Sequence, residues 1–61
     1  METLIDPENF VGHTLNVTAN SNDDFNDFMG TCIGVRNGFL KVVDQEEDVF
    51  EVEVSQVTIA F

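Results

Sequence analysis

From Val11 onward, apolar and polar residues alternate with a period of two, and turn-forming clusters break the alternation at intervals. Val11, His13, Leu15, Val17 and Ala19 fall on one face of the first stretch, and Thr14, Asn16 and Thr18 fall on the other. That pattern predicts a half-buried strand rich in β-branched residues. Asn20-Ser21-Asn22-Asp23-Asp24 then ends it, because short polar side chains bond nearby backbone and favour turns. Phe25, Phe28 and Met29 follow at helical spacing, as a single turn or as pins holding a long loop on the core. Ahead of all this, Asp6-Pro7-Glu8-Asn9 has the marks of a helix start: a cap, a proline at the first position and an early acid. Gly12 leaves room for about one turn. Leu4 or Ile5 is placed to pack against Phe10 or Val11 across that turn.

The strongest local signal is Asn37-Gly38, which supplies the two positive-φ residues of a type I′ hairpin between apolar-rich strands. A two-residue loop sets Arg36 opposite Phe39, Val35 opposite Leu40 and Ile33 opposite Val42. Ile33, Val35, Leu40 and Val42 then form the core face, and Cys32, Gly34, Arg36, Phe39, Lys41 and Val43 form the other. Asp44-Gln45-Glu46-Glu47-Asp48 is a charged turn. Alternation resumes with Phe50, Val52 and Val54 inward and Glu51 and Glu53 outward. After Ser55-Gln56, the residues Val57, Ile59 and Phe61 make a last short inward face.

Five short strands in about 50 residues have too little core as a flat sheet, so they are expected to curl and close. Gly30 and Gly34 fall where a strongly bent strand needs bulges or corners. In Phe10-Val11-Gly12, Gly30-Thr31-Cys32-Ile33-Gly34-Val35, Phe39-Leu40-Lys41-Val42-Val43-Asp44 and Val49-Phe50-Glu51-Val52, the chain resembles an SH3-like small barrel. A long first loop, two hairpins and a helical turn before the last strand are typical of that fold. The resemblance implies an all-β, five-stranded SH3-like small barrel over residues 10–61. Residues 1–9 form an N-terminal extension with a short helical turn, and the whole is one domain. Tyr and Trp are both absent, so the polyproline-binding activity of SH3 domains is not implied.

Charge changes the picture most. Twelve Asp and Glu stand against two Lys and Arg in 61 residues, for a net charge of -10. Phosphate contacts need cations, so direct binding to nucleic acid or to an anionic membrane is not expected. A hydrophobic fraction of 43% excludes a disordered acidic tail. With no signal-peptide pattern, no long apolar run and a single cysteine, a cytoplasmic location is expected.

No constellation for catalysis, a metal or a cofactor stands out. His13 has no second histidine and no nearby cysteine, and its place on the inner face predicts a partly buried structural residue. Cys32 is expected to be a packed thiol. The acids of Asn20 to Asp27 lack the Gly and Glu that a calcium loop requires. What remains is a surface. Asp44, Glu46, Glu47, Asp48, Glu51 and Glu53 supply half of all carboxylates within ten residues, and no cation lies among them. Arg36 and Lys41 lie together beside Phe39, which is a candidate exposed anchor.

The expected function is a non-enzymatic interaction module whose partner-binding residues are Asp44, Glu46, Glu47, Asp48, Glu51, Glu53, Arg36 and Phe39, directed at a basic protein surface. A sharper form is an inhibitor that occupies a nucleic-acid-binding site on its target; small acidic proteins of bacteriophages are similar in size and charge. The alternative is a structural or assembly subunit that self-associates as a homo-oligomer through its edge strands.

Overall fold

In the computed structural model, which describes residues 6–60, the N-terminal helix signal yields one turn of 3-10 helix, Pro7–Phe10. The Asp6 carboxylate accepts from the Glu8 amide at 3.2 Å, and Gly12, at φ 90°, turns the chain away. Phe10 is buried, whereas Val11 is exposed and leaves the inner face expected for it. The predicted contacts of Leu4 and Ile5 lie outside the described residues.

Five strands follow: β1 (Thr14–Val17), β2 (Phe28–Arg36), β3 (Phe39–Val43), β4 (Val49–Val52) and β5 (Val57–Ile59). A second 3-10 turn, Val54–Gln56, joins β4 to β5. All pairings are antiparallel, in the order β4-β3-β2-β1-β5. The fold is therefore all-β and five-stranded. The sheet is open among the described residues, with β4 and β5 as its two edges rather than a closed seam.

Strand β2 holds the halves together. Its first part pairs with β1 and its second with β3, and Thr31 lies opposite both Thr14 and Val43. At the changeover the neighbouring strand comes so close that a Cβ on Gly30 would collide with the Val43 carbonyl oxygen and lie 2.7 Å from Val42 Cγ1. Only glycine fits there.

The Asn37-Gly38 hairpin forms as expected, with φ of 55° and 82° and with Arg36 opposite Phe39 and Val35 opposite Leu40. The register then slips. A bulge between Cys32 and Gly34 places Cys32, not Ile33, opposite Val42. One extra residue reverses the alternation beyond it. Cys32 is therefore in the core, its thiol directed at the Gly34 carbonyl 3.5 Å away, and Ile33 is 52% exposed. Two further assignments change. His13 is exposed, because Gly12 breaks the extended run and β1 begins only at Thr14. Ile59 shares the face of its partner Leu15 but is 46% exposed, since it lies on an edge strand.

The core comprises Phe10, Leu15, Val17, Cys32, Leu40, Val42, Val52 and Val57. Phe25, Phe28 and Phe50 close it at one side with ring centroids 4.9 to 5.5 Å apart. Phe28 begins β2 while Phe25 remains in the loop, so these rings pin the loop and no helical turn forms there. Gln56, read in the sequence only as an interruption, is a buried polar clamp at 7% exposure. Its Nε2 donates to the Thr18 carbonyl and to Asp23 Oδ2, each at 2.9 Å, and its Oε1 accepts from the Glu53 amide at 3.0 Å. All three polar positions of the amide are satisfied.

Candidate functional site

The β3–β4 ladder closes on the pair Val43–Val49, which leaves residues 44–48 to reverse the chain. One carboxylate oxygen does most of that work. Asp44 Oδ1 accepts from the amides of Glu46 and Asp48, both at 2.9 Å. The backbone adds Asp44 N–H to the Asp48 carbonyl at 3.0 Å and Glu47 N–H to the Asp44 carbonyl at 3.1 Å. Glu47 takes a φ of 70°, unfavourable for a residue with a Cβ.

The result is a fixed loop whose remaining acids the fold does not use. Glu46, Glu47 and Asp48 are exposed, and one oxygen from each of Asp44, Glu46 and Asp48 lies within 4.8 Å of the others. Unit charges about 4 Å apart repel by on the order of 1 kcal/mol even in bulk water, so the cluster favours a cationic neighbour. The acids of the first loop are arranged differently. Asp23 Oδ2 accepts from the Asn20 amide and Asp27 Oδ1 from the Ala19 amide, each at 2.8 Å. Among the described residues, Asp23, Asp24 and Asp27 form no comparable carboxylate cluster.

The other expected partner-binding residues separate into groups. Glu51 is exposed on β4 directly opposite Lys41, which places an acid and a cation side by side. Glu53 leads into the second 3-10 turn and is exposed. Arg36 and Phe39 face each other, both exposed, at the Asn37-Gly38 end of the hairpin. That end is separated from the acidic turn by the length of β3, roughly 13 Å at about 3.3 Å per residue. Arg36 and Phe39 therefore lie at the other end of the hairpin from Asp44, Glu46, Glu47 and Asp48.

Beside the acidic turn is a feature that the sequence pattern did not reveal. Phe28, Met29, Asp44, Gln45 and Glu46 line a hollow of about 350 Å³. A second hollow, of about 190 Å³, shares Met29, Asp44 and Gln45 and extends over Gly30, Thr31 and Val43. Met29 stands between them, 43% exposed. The signal was the order Phe28 in, Met29 out, Gly30 in, visible only once these residues are assigned to a strand instead of a loop. No helix among the described residues is long and apolar enough to cross a membrane. No protein-family model, curated protein or solved structure matches the chain.

Proposed function

We propose that this protein is a non-enzymatic interaction module that binds a basic protein surface through the acidic turn at residues 44–48. One observation carries the proposal: a single carboxylate, Asp44, organises the turn, and the carboxylates of Glu46, Glu47 and Asp48 stand exposed and accept no hydrogen bond among the described residues. A loop whose backbone is already ordered presents its charges at a reduced ordering cost, which favours fast encounter with a cationic surface. The sharper form is an inhibitor that takes the place of nucleic acid on its target, in the manner of small acidic phage proteins. We also assign the chain to the SH3-like small barrels. The strand order, the division of β2 between two partners and the 3-10 turn before β5 support that assignment.

The test is a cell-lysate pull-down at low and high salt with the wild type and with Glu46→Gln/Glu47→Gln/Asp48→Asn. Proteins held at low salt should be lost at high salt and lost with the variant, and an added oligonucleotide should compete for them. Retention of every captured protein by the variant sinks the proposal.

A second reading has its own observation: Ile59 is exposed on β5 at a free edge of the sheet, and Val49 is exposed on β4 at the other. Edges of this kind pair readily with another copy. Sedimentation over a wide concentration range decides it, since a persistent monomer eliminates edge-to-edge assembly.

A further inference from the structure

The acidic turn does not stand on a flat surface. Asp44, Gln45 and Glu46 line the larger hollow together with Phe28 and the exposed Met29. Met29 also lines the second hollow, where Val43 adds apolar surface and Thr14 and Thr31 add hydroxyl groups. An exposed Met is a flexible, polarisable surface that adapts to varied apolar shapes. At about 350 Å³ the larger hollow is at the lower end of the sizes used for specific recognition, with room for one large side chain and its flanking groups.

We infer that the groove over Met29 takes a single large apolar side chain from the partner, and that Lys or Arg residues flanking it in the partner's chain reach Asp44, Glu46 and Asp48. This rests on the acidic-turn reading above and adds to it a sequence requirement: an apolar anchor between cations. The occupant follows from complementarity at both levels. A carboxylate rim rejects an acidic segment, and the exposed apolar surface of Met29 gives nothing to a segment of cations alone. A hydrophobic anchor in a partly desolvated pocket, ringed by charges that set orientation, is the usual division of labour at small interfaces.

The probe is a pair of capped pentapeptides, leucine between two lysine pairs and glycine between two lysine pairs, titrated into the 61-residue chain at low salt while amide chemical shifts are followed. The leucine peptide should move Met29, Gly30, Val43 and the amides of the acidic turn. It should bind about tenfold more tightly than the glycine peptide, a difference of ~1.4 kcal/mol. Met29→Gln, a polar replacement of similar length at an exposed position, should abolish that preference and leave lysine-driven binding in place. Equal affinity for the two peptides, with shifts confined to the turn, overturns the groove and leaves charge-led binding standing. A preference for leucine that survives in Met29→Gln also overturns it, by locating the anchor elsewhere. No shift at the acidic turn with either peptide sinks both the groove and the reading on which it rests.

Discussion

Two acidic segments of this chain, alike in sequence, differ in what the fold asks of them. In the first loop, Asp23 and Asp27 each accept a backbone amide, and Asp23 also accepts from the buried Gln56. In the β3–β4 turn Asp44 alone receives such bonds, two of them on one oxygen. Glu46, Glu47 and Asp48 receive none through their side chains among the described residues and are exposed. In the first segment two of the three acids, Asp23 and Asp27, serve the fold as acceptors, and Asp24 is exposed. The second carries more charge than its geometry requires, and that surplus is where function is to be sought.

The largest effect that tests the contrast comes from turning the clamp against the first loop. Gln56→Glu replaces a donor 2.9 Å from Asp23 Oδ2 with a second carboxylate in a buried setting. Repulsion and the lost bond to the Thr18 carbonyl together should cost about 3 kcal/mol or more. A domain of this size holds roughly 3–9 kcal/mol in all, so the urea midpoint should collapse. Adding Asp23→Asn removes the repulsion and supplies a donor toward the new carboxylate, but the same position then no longer accepts from the Asn20 amide, so part of the loss should be recovered. A failure of the double variant to recover would mean that Asp23 and Gln56 are not coupled.

Removing the loop's acceptors directly is milder. Asp23→Ala/Asp27→Ala frees the amides of Asn20 and Ala19 and leaves one Gln56 donor unmatched. At about 1 kcal/mol for each of the two lost cap-like bonds, and up to as much again for the unmatched Gln56 donor, the pair should cost ~2–3 kcal/mol in chemical denaturation. Asp44→Ala should cost less, ~1 kcal/mol, because the Glu46 and Asp48 amides it releases are exposed and water can replace the carboxylate. Asp44→Asn, which keeps an acceptor, should cost less still. A loss at Asp44 as large as that at Gln56 would mean the turn is more structural than its exposure implies.

Strand content was legible in the sequence because period-two alternation and Asn37-Gly38 are local signals, and the hairpin register followed from loop length. The register was legible only as far as the bulge. An extra residue between Cys32 and Gly34 leaves no mark in the pattern, since Cys and Ile are both acceptable in a core. That is why Ile33 and Cys32 exchanged faces. His13 and Ile59 were misplaced for other reasons: Gly12 breaks the extended run before β1, so parity does not reach His13, and Ile59 keeps its face but lies on an edge strand where coverage ends. The acidic turn was readable as a charge run. Its division into one structural acid and three free ones was not, because that depends on which oxygen meets which amide. The Met29 groove depends on where the turn lies against the start of β2, which is a tertiary relation.

The smallest expected effect bears most directly on function. Glu46→Gln/Glu47→Gln/Asp48→Asn removes three charges without removing a side-chain hydrogen bond found among the described residues. Its stability should lie within about 0.5 kcal/mol of wild type, as surface substitutions away from structural features usually do. Salt sharpens the comparison. Raising ionic strength from 0.01 to 0.15 M shortens the screening length from about 30 to 8 Å, which relieves repulsion among exposed acids. At a net charge of -10 the wild type should gain stability over that range, and the variant should gain less, because part of the repulsion has been removed. A loss of 2 kcal/mol in the variant would place the turn in the same class as the first loop and leave no surplus for a partner. An unchanged midpoint together with lost binding to the lysine-flanked leucine peptide separates the two roles: Asp44 holds the turn, and its neighbours do the recognising.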